Sequence, residues 1–143
     1  MAKQAIKILW VEDNVGDVLL IKEAFQEAGL THKFNVFNNG QDALDFLFRR
    51  HRYVNAARPD LIILDLNMPR KNGREVIEEI SDKPELLSIP LVILTTSKTE
   101  QSVLDGLNPQ RCLYLIKPSN FSALIELARQ IQDFLAETKS PSI

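Results

Sequence analysis

Leu61-Ile62-Ile63-Leu64-Asp65-Leu66-Asn67-Met68-Pro69 is the stretch that decides the fold. Four consecutive branched aliphatics predict a strand buried on both faces, as in a sheet covered by helices on either side. Asp65 then stands at the carboxyl end of that strand, beside a proline-containing loop, where open α/β sheets place their ligands. A second acidic pair, Glu12-Asp13, ends another apolar stretch, Ile6-Lys7-Ile8-Leu9-Trp10-Val11. If the two strands are neighbours, three carboxylates meet at one mouth. They repel one another unless a cation lies among them, and that makes the mouth the candidate site.

Outward from these two strands, strand-like and helix-like segments alternate. Residues 17–28 carry Val18, Leu19, Ile21, Ala24, Phe25 and Ala28 at near-helical spacing, with Gly29 where a C-terminal capping glycine belongs. Residues 33–38 alternate polar and apolar, which suits an edge strand. Residues 41–50 predict a second helix, and a longer polar, basic connection, 49–58, leads to Pro59 and the Asp65 strand. A third helix spans Gly73 to about Ser81, and Pro84 bars its continuation. Pro90 to Thr95 is a buried strand. Ser97-x-x-Glu100 has capping-box spacing for a fourth helix from Lys98 to about Leu107. Cys112 to Ile116 is the fifth strand, and Phe121 to about Ala136 the last helix, with Leu124, Ile125, Leu127, Ala128, Ile131 and Leu135 turned inward.

Five strands and five helices of these lengths predict an α/β protein, a (βα)5 doubly wound parallel five-stranded sheet. Right-handed crossovers and a topological switch point favour the strand order 2-1-3-4-5. The expected organisation is a single domain over residues 1–136 and a C-terminal tail over 137–143. At 143 residues the chain has room for one proper core. A net charge of −2 lacks the basic footprint of a nucleic-acid binder. No stretch reaches the roughly 18 apolar residues of a membrane span, and the N-terminus lacks an apolar core of signal-peptide length. The single cysteine, Cys112, cannot form an internal disulfide and fits a reducing cytoplasm, the expected location. Cys112 reads as a core residue, and His32 and His51 as surface residues away from the mouth.

The predicted order brings five residues from four strand ends to one edge: Glu12 and Asp13 from the first strand, Asp65 from the third, Thr95 from the fourth and Lys117 from the fifth. Three acids supply hard oxygen ligands suited to Mg²⁺, which keeps several waters and contacts phosphate. A hydroxyl and an ammonium beside them suit the remaining oxygens of a phosphoryl group, whose transfer depends on positioning and charge neutralisation. A carboxylate can itself be the nucleophile. Each residue alone has an ordinary reading: a turn acid, a solvated acidic pair, a strand threonine, a surface lysine. Their joint order and their placement at strand ends carry the argument.

Val11-Glu12-Asp13-Asn14, Leu64-Asp65-Leu66-Asn67-Met68-Pro69, Asn72-Gly73, Ile93-Leu94-Thr95-Thr96 and Ile116-Lys117-Pro118 together resemble the receiver domain of two-component response regulators, a flavodoxin-like fold, over nearly the whole chain. The resemblance implies that Asp65 is the phosphoacceptor, taking phosphate from the phosphohistidine of a partner histidine kinase. It implies that Asp13 and Asp65 bind Mg²⁺ directly, Asn67 through its backbone carbonyl and Glu12 through water. Lys117 would contact the phosphoryl group, Thr95 would move towards it, and Tyr114 matches the aromatic switch position. Lys117-Pro118 resembles a bond that is usually cis in this family. Departures are Glu12 for the commoner Asp, Thr96 for a small residue, Ser119 where an aromatic is common, and Asn108 to Cys112 in place of a Gly-Ala turn.

The long connection before Pro59 and the run from Arg58 to Glu75 resemble the single-domain regulators paired with bacterial phytochrome kinases. That implies a light-regulated kinase as phosphodonor, output through a downstream protein, and a homodimer to which the apolar last helix and tail contribute. The expected function is a stand-alone phosphoryl switch rather than a metabolic enzyme, with at most slow self-phosphorylation from small donors and slow self-dephosphorylation. A Mg²⁺-dependent phosphatase with an aspartyl nucleophile shares the same acids, but usually needs a second acid two residues on, where this chain has Asn67. A flavodoxin-like cofactor module needs a phosphate cradle that the first loop lacks.

Overall fold

A computed structural model describes residues 6–30, 32–68 and 70–139. Pro69 and the tail residues 140–143, part of the expected site loop and tail, lie outside the described residues. The elements in chain order are β1 (Lys7–Val11), α1 (Val15–Glu27), β2 (Lys33–Phe37), α2 (Gly40–Leu47), β3 (Leu61–Leu64), α3 (Gly73–Ser81), α4 (Pro84–Leu87), β4 (Leu91–Thr95), β5 (Cys112–Ile116) and α5 (Phe121–Lys139). The five strands form one parallel sheet in the order β2-β1-β3-β4-β5, as the alternation of strand-like and helix-like segments predicts.

The aliphatic runs explain the layering. Side chains alternate across a strand, so the central strands feed two cores at once. Ile8, Trp10, Leu61, Ile63, Val92 and Leu94 pack against α1 and α5 on one face. Leu9, Val11, Ile62, Leu64, Leu91 and Ile93 pack against α2, α3 and α4 on the other. Full burial of each such side chain contributes about 2 kcal/mol. Leu124, Leu127, Ala128, Ile131 and Leu135 of α5 are all buried within the chain. These residues of the last helix pack within its own domain, while Phe121 at its start is exposed.

Helix ends follow their capping residues. Asn14 accepts a hydrogen bond from Asp17 N, which starts α1 at Val15, two residues before the expected start. Asn39 does the same for Asp42 N, and α2 ends at Leu47, with Arg49 at φ 56° just beyond it. The expected continuation to Arg50 is thus cut short. The connection that follows holds a short 3₁₀ turn, His51–Tyr53, pinned by edge contacts of Tyr53 with Phe37 and Phe46. Asn72 and Glu75 form a reciprocal capping box that begins α3 at Gly73. The last helix reaches Lys139, three residues past its expected end.

The helix expected over 98–107 is absent. In its place lies a 3₁₀ turn, Gln101–Leu104. Both hydrogen-bonding groups of the expected capping box are diverted. Ser97 N donates to Thr95 Oγ1, and Glu100 pairs with Arg74 of α3 instead of reaching back. Beneath the segment that follows, Ile80, Leu86, Ile89, Leu107 and Cys112 line an apolar cavity of about 120 Å³. A short helix that was not anticipated, α4, is led by Pro84 at its first position, which suits a proline there and nowhere later.

Candidate functional site

Register sets the site. Val11 pairs with Leu64 across β1 and β3, so Glu12 and Asp65 leave the sheet side by side at its carboxyl edge. Asp65 N donates to Val11 O at 3.0 Å, and Glu12 N donates to Phe37 O at 2.8 Å, which extends the ladder one step beyond the strands. Thr95 pairs with Ile116 across β4 and β5, and Lys117 N donates to Thr95 O at 2.7 Å. The four predicted strand-end motifs therefore share one mouth.

The loop after Asp65 is held from two sides. Arg70 and Lys71 have positive φ angles of 46° and 73°, a region that non-glycine residues seldom adopt. Their carbonyls accept hydrogen bonds from Gln41 N and Gly40 N at the start of α2. A Cβ on Gly40 would lie 2.1 Å from Lys71 O, so only glycine allows this approach. On the other side, Gly73 N donates to Leu66 O, and a Cβ on Gly73 would lie 2.5 Å from Asp65 O.

Glu12, Asp13 and Asp65 each offer a carboxylate oxygen, and these oxygens all lie within 4.8 Å of one another. Glu12 and Asp65 are buried, at 2% and 8% exposure, while Asp13 is open to solvent. Asp65 Oδ1 accepts from Asn67 N at 3.2 Å, and Glu12 Oε2 from Asn14 N at 3.2 Å. Lys117 Nζ lies 2.6 Å from Glu12 Oε1, 2.9 Å from Asp17 Oδ2 and 3.5 Å from Asp65 Oδ2. Glu12 Oε1 is close enough for an ion pair, yet no aligned hydrogen bond reaches this buried atom.

Burial pushes the Glu12 carboxyl up from its ordinary 4.5 to about 7; the neighbouring Asp65 charge adds to the rise, and Lys117 opposes it. Burial also works against the Lys117 ammonium, but the close contacts with Glu12 and Asp17 and the charge of Asp65 outweigh it and raise its pKa above the ordinary lysine value. A cluster of three acids, two of them buried and one open to water, fits a hard divalent cation.

Thr95 is fully buried and its Oγ1 accepts from Ser97 N at 3.3 Å. Tyr114 donates its hydroxyl to Ser97 O at 2.6 Å. The two expected switch residues are therefore joined through one residue, Ser97. Asn67 is exposed, and its N–H donates to Asp65 Oδ1. The expected cis bond at Lys117-Pro118 is not found, since no peptide bond among the described residues is cis. Away from the mouth, His32 is partly buried rather than on the surface, with Nε2 3.0 Å from Gln132 Oε1. Asp17 is the site residue that sequence reasoning missed. Its signal was its place in the first helical turn after Glu12-Asp13, one turn from the acids.

Comparison with known proteins agrees with this geometry. Residues 8–129 match the family described as the response regulator receiver domain. The response regulator Rcp1 of Synechocystis sp. is 39% identical over 131 residues, covering 92% of this chain and 89% of its own. Among solved structures, the phosphorylated cyanobacterial phytochrome response regulator RcpA superposes with a TM-score of 0.82 at 38% identity, over 97% of this chain and all 100% of its own. The Mn²⁺-bound form of Rcp1 superposes with a TM-score of 0.78 at 37% identity, over 96% of this chain and 99% of its own. With the strand order, the acidic mouth and these matches in agreement, the chain belongs to the response regulator receiver domain family.

Proposed function

We propose that Asp65 accepts a phosphoryl group from the phosphohistidine of a partner histidine kinase, and that the phosphorylated mouth resets a protein-binding surface. The observation that carries this reading is the convergence of Glu12, Asp13 and Asp65 with Lys117 at one edge of the sheet. An Asp65 oxygen attacks phosphorus as the bond from phosphorus to the imidazole nitrogen breaks, and the imidazole keeps the electron pair. Asp13, Asp65 and the Asn67 carbonyl would hold Mg²⁺, with Glu12 acting through water. When bound, Mg²⁺ neutralises charge on the transferring oxygens.

Lys117 meets a further phosphoryl oxygen with its ammonium. Thr95 turns its hydroxyl to the same group and gives up Ser97 N, and Tyr114 follows because it holds the same residue. Asn67 carries no exchangeable carboxyl proton, so the position two residues after the nucleophile lacks the acid that aspartyl-nucleophile phosphatases usually place there. That favours a switch that keeps its phosphoryl group over a phosphatase. The matches to RcpA and Rcp1 support a phytochrome kinase as the donor. The test is incubation with acetyl phosphate, with and without Mg²⁺, followed by intact mass. A Mg²⁺-dependent phosphoryl adduct that Asp65→Asn abolishes is expected. An undiminished adduct in Asp65→Asn contradicts the reading.

A further inference from the structure

We infer that Asp17 is the positioning residue for Lys117, holding the ammonium at the phosphoryl side of the mouth. This inference rests on Asp65 being the phosphoacceptor. Lys117 ends a flexible four-carbon stem whose charge has no fixed direction of its own. Three carboxylates surround it, and they are not equivalent. Glu12 and Asp65 belong to the acid cluster that could hold a cation, and Asp17 does not. Asp17 also makes the aligned hydrogen bond to the ammonium, at 2.9 Å, whereas Glu12 approaches without alignment. Once the acids engage a cation and Asp65 carries a phosphoryl group, Asp17 is the carboxylate among these three still free to hold the lysine.

Asp17 is a fixed reference point. Its backbone N–H is tied to Asn14 Oδ1 at 3.0 Å in the first turn of α1. That helix is buried through Val18, Ile21, Ala24 and Phe25 in the core it shares with α5. The Asp17–Lys117 pair closes a separation of one hundred residues and ties the start of α1 to the loop between β5 and α5. It lies in a cleft rimmed by Leu20, Pro118 and Phe121. Without Asp17, no carboxylate outside the metal cluster fixes the ammonium, and it loses its set position at the phosphoryl side of the mouth.

The experiment compares wild type, Asp17→Asn and Asp17→Glu for phosphoryl acceptance from acetyl phosphate at saturating Mg²⁺, with Mg²⁺ affinity measured separately by calorimetry. Asp17→Asn keeps the backbone bond to Asn14 and nearly the same volume. Its acceptance rate is expected to fall by about ten- to a hundredfold, the upper end being the effect of a displacement of about 1 Å. Its Mg²⁺ affinity should change by less than about threefold, because Asp17 is partly exposed and screened. Asp17→Glu, which restores a carboxylate within reach, should recover most of the rate. An unchanged rate in Asp17→Asn, a deficit that disappears at higher Mg²⁺, or failure of Asp17→Glu to recover the rate would each overturn the inference. Wild type that takes no phosphoryl group on Asp65 would instead overturn the reading on which it rests.

Discussion

Glu12 shows how much one buried carboxyl can tell about the site. Its pKa of about 7 in the metal-free protein, against an ordinary 4.5, means that folding favours the protonated form. The associated stability is fully present below pH 4.5 and is lost as pH rises through 7. The thermal midpoint of metal-free protein is therefore expected to fall between about pH 5 and pH 8. Glu12→Gln should remove that fall, and a thermal melt series of both proteins checks it. The same proton competes with a cation, so Mg²⁺ affinity should weaken as pH falls below 7, measured by titration calorimetry. Asp65, Asp13, Thr95 and Lys117 were legible in the sequence because each ends an apolar run. Asp17 was not, because it sits inside a helix whose own periodicity explains it as an exposed polar position.

Among the elements, the glycines and caps around the mouth set the shape of the site. Asn72→Ala breaks the capping box of α3 and is expected to cost about 1 kcal/mol, roughly 3 °C in thermal midpoint. Gly73→Ala should cost more, because its methyl group meets the Asp65 carbonyl and Leu66 Cα. It should also slow phosphoryl acceptance, since relief of that clash displaces the strand end that carries Asp65. Comparing the two variants by melting and by acceptance rate separates loss of helix stability from displacement of the site. The strands and most helix positions were readable from periodicity. The helix expected over 98–107 was not formed, because its signal was local and its two capping groups are engaged by Thr95 and Arg74, residues distant in sequence or in another element. The short helix α4 was missed because four residues are too few to show a period.

For the whole molecule, the parallel sheet sets the mouth at its carboxyl edge, between two packed faces. Three clustered acids make the folded state carry repulsion that a divalent cation relieves. Mg²⁺ at about one hundred times its dissociation constant should stabilise the protein by roughly 2.7 kcal/mol. Asp13→Asn should lose most of that gain, as read by thermal melts with and without Mg²⁺. The measurement that bears most directly on the central claim is chemical trapping of the acyl phosphate. Protein treated with acetyl phosphate and Mg²⁺ is reduced with borohydride, which converts an aspartyl phosphate to homoserine, and the peptides are mapped. Homoserine at position 65 is the predicted result. Homoserine at position 13 instead, or none at all in protein that binds Mg²⁺, would contradict the account.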